Sequence, residues 1–299
     1  MKNGITSIRR ASVAATVTLA AGAVLASGVF APAAGAAAPP KPTINAKGGF
    51  VMDNATARTL YGKAADTRRS TGSTTKVMTA KVVLAQKNLN LDSKVTVQKA
   101  YSDYIVSKTA SSARLIVGDK VTVRQLLYGL MLPSGCDAAY ALADRFGSGS
   151  TRAARVKSFI GKMNASAKSL GLKNTRFDSF DGIGGKSNYS TPRDLTKIAG
   201  SAMKNSTFRA IVKTRSTKQK VTTKNGGYRY MSWSNTNPLL GSYSGAIGVK
   251  TGSGPSAKYC LVFAATRKGR TVIGTVLTSS SAANRTSDAK KLLDHAFKK

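Results

Sequence analysis

Ser73-Thr74-Thr75-Lys76 sets a hydroxyl and an amine at i and i+3. On a helix, side chains at that spacing share a face. A serine hydroxyl is a weak nucleophile until a base takes its proton. A lysine can be that base when burial or a neighbouring cation favours its neutral form. A helix start at Ser73 also favours negative charge developing beside it. The pair is therefore equipped for acyl transfer through a serine ester. By itself the tetrapeptide says little, and two further groups give it context. Ser134-Gly135-Cys136 offers a second hydroxyl, able to relay a proton to a leaving amine. Lys250-Thr251-Gly252-Ser253 offers a cation for a carboxylate, and a glycine where another backbone can approach.

The elements that must position these groups follow from apolar spacing. Residues 73–86 lack Gly and Pro and place Val77, Ala80, Val83 and Leu84 at helical intervals. Helices are predicted over 122–132, ended by Pro133, and from Asp137 to Asp144, so Ser134-Gly135-Cys136 occupies the loop between them. Asp137 reads as a cap or first-turn residue of the second helix. Further helices are expected over 151–170 and 191–204. Gly48 to Asn54 and Thr59 to Tyr61 read as a hairpin. Gly245 to Thr251, Lys258 to Thr266 and Thr271 to Leu277 read as three strands, with Lys268-Gly269 in the second turn. A last helix aligns Ala289, Leu292, Leu293, Ala296 and Phe297 on one face. Strands at both ends with helices between them give an α/β (α+β) chain. The expected architecture is an antiparallel sheet built from both termini, with flanking helices and an inserted all-helical region at about 80–235. No linker separates a second domain, so 37–299 reads as one unit.

Composition narrows the chemistry. The 299 residues hold 47 Lys plus Arg against 12 acids, all of them Asp, with one His and two Cys. A zinc site of His, Cys and Glu lacks ligands. A Ser-His-Asp triad would have to use His295, which reads as a surface or helix-end residue. Neither composition nor motif calls for a cofactor or metal. Lys2, Arg9 and Arg10 precede an uncharged run from Ala11 to Phe30, and Ala34-Gly35-Ala36 supplies small residues for cleavage. This is the pattern of an export signal over 1–36. A retained anchor is the alternative, since the run is long enough to span a bilayer. Cleavage would remove three cations and no acid, taking the formal charge from +35 to +32. The cations are spread along the chain and form no nucleic-acid motif, so anionic wall polymers or lipid headgroups are the expected polyanions. Cys136 and Cys260 stand 124 positions apart and do not make a disulfide framework. Arg193 and Asp194 read as a structural ion pair, and Trp233 as core or cleft wall.

In order along the chain, Ser-x-x-Lys, Ser-x-Cys in the place of Ser-x-Asn, and Lys-Thr-Gly resemble the signature of penicillin-recognising serine enzymes. Phe177-Asp178-Ser179-Phe180-Asp181-Gly182-Ile183, the run Tyr189 to Leu195, and Asn235-Thr236-Asn237 extend the likeness. The chain resembles the low-molecular-mass penicillin-binding proteins, which are serine D-alanyl-D-alanine carboxypeptidases and transpeptidases. The nearest likeness is to a secreted, single-domain actinomycete type. The resemblance implies a β-lactamase/DD-peptidase-like fold, peptidoglycan stem peptides ending in D-Ala-D-Ala as substrate, and β-lactams as inhibitors. It implies Ser73 as nucleophile, Lys76 as proton acceptor and Ser134 as proton relay. Lys250, Thr251, Gly252, Ser253 and Cys136 are implied at the substrate, with the N–H groups of Ser73 and Ser253 as oxyanion donors. Cys136 departs from the family's usual Asn. A thiol donates and accepts poorly beside an amide, so weaker substrate holding and slower acylation are expected. A β-lactamase is disfavoured because the chain has no Glu for deacylation. A non-catalytic wall-binding or β-lactam-sensing protein on the same fold is the alternative reading.

Overall fold

Apolar residues dominate the segments 50–52, 259–265 and 272–277 near the two ends of the chain, as suits a sheet covered on both faces. The computed structural model describes residues 40–299; the export signal expected over 1–36 lies outside the described residues. The chain forms β1 (Gly48–Asp53), β2 (Thr59–Lys63), a 3-10 turn at Gly72–Thr75, α1 (Lys76–Leu84), β3 (Lys94–Thr96), α2 (Lys99–Lys108), β4 (Lys120–Thr122), α3 (Val123–Met131), α4 (Cys136–Phe146) and α5 (Arg152–Ser169). It continues through α6 (Pro192–Ala202), α7 (Ser206–Lys213), β5 (Ser216–Thr222), β6 (Tyr228–Ser234), α8 (Leu239–Ser242), β7 (Ala246–Gly254), β8 (Lys258–Arg267), β9 (Arg270–Ser279) and α9 (Ala282–Lys298). The main sheet has the order β2-β1-β9-β8-β7, every pair antiparallel. Both ends of the described chain thus meet in one sheet, as expected, and β7 is left as a free edge.

Two cores flank that sheet. On one face α9 buries Ala289, Leu292, Leu293 and Ala296 against Val51, Leu261, Phe263 and Val276. On the other, α1 and α6 join the larger core formed with α3, α4 and α5. α1 is enclosed on nearly every side, with Val77, Met78, Ala80, Val82 and Val83 all buried. A helix so enclosed needs no polar face, which lets Lys76 point into the protein.

The inserted region is not all-helical. It carries a second antiparallel sheet of order β3-β4-β5-β6. Its strands escape recognition because β5 and β6 bury only Val221, Met231 and Trp233 on their inner face. α2 was likewise not expected, since Tyr101 is its one buried residue. α7 is short, capped by Asn205 Oδ1 accepting from the Phe208 N–H at 3.0 Å.

Other expectations shift in detail. Arg193 pairs with Asp66 through two nitrogens at 2.7 and 3.0 Å, while Asp194 accepts from Thr175 Oγ1 at 2.8 Å and from the Asn174 N–H at 3.2 Å. The two residues are structural, but not with one another. His295 is buried, 5% exposed, packed edge-on to Tyr61. Trp233 lies in the core and its Nε1–H donates to Ala113 O at 2.8 Å.

Asp137 does more than start its helix. Its carboxylate accepts from the Ala113 and Leu115 N–H groups at 2.8 and 3.1 Å, from Ser112 Oγ at 2.7 Å, and from the Ala138 N–H at 2.9 Å. It ties the 111–115 segment to the start of α4. Asp137→Ala would strand two buried amides of that segment, each worth about 1–3 kcal/mol. Urea unfolding should show a loss of about 2–4 kcal/mol, and a loss below about 1 kcal/mol would contradict this role.

Candidate active site

The turn that carries Ser73 is clamped from two sides. Gly72, at φ +49°, lies so close to Ser253 that a β-carbon would come within 2.8 Å of its carbonyl oxygen. Gly252 faces the same turn, and a β-carbon there would stand 2.9 Å from Thr71 O and Thr74 N. From below, Gly182 at φ +93° packs directly on Gly72. Thr71 Oγ1 and Thr75 Oγ1 are 2.7 Å apart, and Asn188 Nδ2 donates to both at 3.0 and 3.3 Å. Thr79 Oγ1 donates to Phe180 O at 2.5 Å. The segment 177–190 is therefore the floor that holds the turn against β7.

At the end of this clamp Ser73 remains half-exposed while Lys76 is wholly buried. Lys76 Nζ donates to Ser73 Oγ at 2.9 Å, to Cys136 Sγ at 3.2 Å and to Ser134 Oγ at 3.3 Å. One amine thus joins both hydroxyls. Ser134 is held with φ +68°, a left-handed conformation that a residue with a β-carbon adopts only under constraint. The constraint is visible. Ser111 Oγ donates to Ser134 O at 2.6 Å, the Gly135 N–H to Gly129 O at 2.9 Å, and the Cys136 N–H to Ser111 O at 2.8 Å. Gly135 itself backs onto Ala113 and Asp137, where a β-carbon would meet atoms at 2.6 Å.

Cys136 is fully buried, its Sγ turned toward Lys76 and 3.5 Å from Ser111 Oγ. Burial pushes its thiol up, against the pull of Lys76. It is a wall residue touching the amine, not a group standing in the open cleft. Cys260 is also buried and free, so the two cysteines form no disulfide.

On β7, Lys250 is buried, its Nζ donating to Thr251 O at 3.0 Å. Burial holds it well below the ordinary lysine range, and the Lys76 and Arg285 cations depress it further. Thr251 Oγ1 stands 2.6 Å from Thr236 Oγ1, which joins the Asn235-Thr236-Asn237 segment to the strand. The packing of Gly72 on Ser253 brings the backbone at Ser73 beside that of Ser253, and the open edge of β7 leads away from it. Arg285 was not anticipated. It is 8% exposed and its Nε lacks a partner among the described residues. Its signal was present, because it continues the buried stripe of Ala289, Leu292, Leu293 and Ala296 by one helical turn.

Lys250 is depressed in the folded chain relative to 10.5. The unfolded chain therefore binds the extra proton between the two pKa values, and stability rises with pH across that window. Lys250→Met should remove that rise and stabilise the fold by about 1–2 kcal/mol at neutral pH. Unfolding curves at several pH values test this, and parallel pH profiles for the two proteins would contradict it.

The chain is similar to known proteins over most of its length. The family model described as D-alanyl-D-alanine carboxypeptidase, peptidase S11, matches residues 34–281. The D-alanyl-D-alanine carboxypeptidase of Streptomyces sp. strain K15 is 70% identical over 285 residues, covering 95% of this chain and 98% of that protein. Bacillus subtilis DacF is 33% identical over 256 residues, covering 84% of this chain and 62% of its own length. The crystal structure of the Streptomyces K15 DD-transpeptidase superimposes with a TM-score of 0.86 at 74% identity, over 87% of this chain and all of that one. The fold is that of the DD-peptidases, and the chain belongs to the D-alanyl-D-alanine carboxypeptidase family of serine peptidases.

Proposed function

We propose that this carboxypeptidase/transpeptidase acts on D-Ala-D-Ala stem peptides through an acyl-enzyme at Ser73, with Lys76 and Ser134 moving the proton. The observation that carries the assignment is the single amine of Lys76 within hydrogen-bond reach of both hydroxyls. Ser73 Oγ attacks the penultimate carbonyl and gives its proton to Lys76 Nζ. The amide N–H groups of Ser73 and Ser253 receive the oxyanion. The proton passes through Ser134 Oγ to the nitrogen of the terminal D-alanine, the C–N bond breaks, and D-alanine leaves. Water, or an amino group of another stem peptide, then attacks the Ser73 ester. It loses a proton to Lys76, and Ser73 Oγ regains one as the ester breaks.

The stem peptide lies along the edge of β7, where Gly252 leaves room for its backbone. Lys250 and Thr251 hold its terminal carboxylate, with Arg285 adding positive potential behind them. Cys136 accepts from Lys76 but presents no amide to the substrate. A half-exposed Ser73 with an intact base and relay argues against a purely binding or sensing protein. Exported by its first 36 residues, the protein would work at the cell surface. Among the described residues no helix is long and apolar enough to cross a membrane. The formal charge of +32 left after cleavage would draw the chain to anionic wall polymers or lipid surfaces.

Labelled penicillin followed by peptide mass mapping should place a stable adduct on the peptide holding Ser73. Ser73→Ala should abolish that adduct and lower D-Ala release by at least about 10³-fold. An adduct elsewhere, or full activity in the variant, would refute the assignment. Cys136→Asn replaces the buried thiol by a longer side chain whose amide can extend past Lys76 toward the substrate, so stopped-flow acylation by penicillin should become faster than in the parent. An unchanged or slower rate would show that the thiol costs nothing.

A further inference from the structure

A second concentration of charge lies on the outer face of the β3-β4-β5-β6 sheet. Register pairs Thr96 with Lys120, Lys120 with Thr222, Thr222 with Tyr228, and Lys220 with Tyr230. Lys94 and Lys218, two residues along their strands, share that face, and Lys94 Nζ donates across it to Thr222 Oγ1 at 3.1 Å. The four strands contain no acidic residue. The ammonium groups of Lys218 and Lys220 sit 4.6 and 4.0 Å over the rings of Tyr230 and Tyr228, which steadies both cations on the surface.

At β3 this face runs into a recess of about 600 Å³, whose wall includes Lys94, Gln98, Asp144, Arg145, Arg152 and Arg155. Asp144 is its one acid, and it is already engaged. It accepts from Arg155 Nε at 2.6 Å, from Tyr101 Oη at 2.7 Å and from Arg152 Nε at 3.1 Å. Four cations against that one carboxylate leave the recess strongly positive. α2 also begins here, and its N-cap Gln98 gives no side-chain cap, so its first N–H groups lack a side-chain acceptor.

We propose that the recess and the sheet face form one binding track for an extended phosphate-bearing polyanion, separate from the peptidase cleft. Guanidinium forks in the recess match phosphate oxygens. The lysine row continues across three strands, about 10 Å at the usual strand spacing, and together with the recess it is too long for a single small anion. A concave recess admits a chain but not a flat bilayer. Tyr228 and Tyr230 are more than half exposed, but each ring carries an ammonium over it and so presents a charged face. The track would hold the enzyme on a charged surface polymer and raise its local concentration near substrate. It rests on the reading of the chain as a cell-surface protein and not on the chemistry of Ser73.

The test uses the full chain, medium-chain inorganic polyphosphate as probe, and fluorescence titration at several salt concentrations. The variant Lys94→Glu/Arg145→Glu/Lys220→Glu is compared with Lys268→Glu/Lys291→Glu/Lys298→Glu, an equal change in net charge on other exposed positions. Penicillin acylation of Ser73 is measured alongside and should be unchanged in both, which separates failure of the track from failure of the active site. Track reversal should weaken polyphosphate binding at least about 30-fold and reduce the salt slope by about 2–3, with the control within about 3-fold of the parent. Equal losses in the two variants would overturn the proposal, as would absence of salt-dependent binding by the parent. Binding to phosphatidylglycerol vesicles that polyphosphate cannot displace would also overturn it, assigning the face to membrane.

Discussion

A lysine buried without a counter-ion is the constraint on which this active site depends. Lys76 is fully enclosed, and its amine spends its contacts on two serine hydroxyls and a thiol. No salt bridge of either Lys76 or Lys250 occurs among the described residues. Crowding two such amines beside Arg285 costs stability. The fold accepts that cost in keeping both amines buried where the proposed roles of Lys76 and Lys250 require them. Larger apolar contacts elsewhere, around α1 and across the main sheet, supply the compensation.

The backbone details around the site serve the same end. Gly72, Gly182 and Gly252 let three segments meet where side chains would keep them apart. That closeness sets the nucleophile turn beside the β7 edge and leaves no freedom to drift. Ser134 is forced into a left-handed conformation by Ser111 and the amides around it, and this brings its hydroxyl to Lys76. Asp137 then anchors the segment that supplies Ser111. The positions of Ser73, Lys76 and Ser134 are thus fixed largely by surrounding backbone and side chains, the kind of preorganisation that the proposed chemistry needs.

Much of this was legible from residue order. α3, α4, α5, α6 and α9 each bury an apolar stripe, α1 is apolar on nearly every side, and the main sheet shows as apolar runs near both ends of the chain. The second sheet did not, because β5 and β6 place Lys218, Lys220, Tyr228 and Tyr230 outward and so few apolar residues inward. Ser73, Lys76, Ser134 and Lys250 could be picked out by spacing and likeness to a family. That Cys136 turns inward to Lys76 could not, since nothing local in Ser-Gly-Cys sets the direction of the thiol. Partners far apart in sequence were equally hidden. Arg193 finds Asp66 across 127 positions and not its neighbour Asp194. Arg285 stood in view as a cation on an apolar helix stripe, and the period that revealed the stripe also marked the exception.

In the proposed mechanism Lys76 and Ser134 act on Ser73 as one proton-transfer unit. A double-mutant cycle on the rate of Ser73 acylation by penicillin tests it most directly, using Lys76→Ala, Ser134→Ala and the pair. Groups acting as a unit lose function non-additively. Each single variant should then be severely slowed, with no further loss in the double beyond the worse single. Additive losses, or acylation at the parental rate in either single variant, would contradict it.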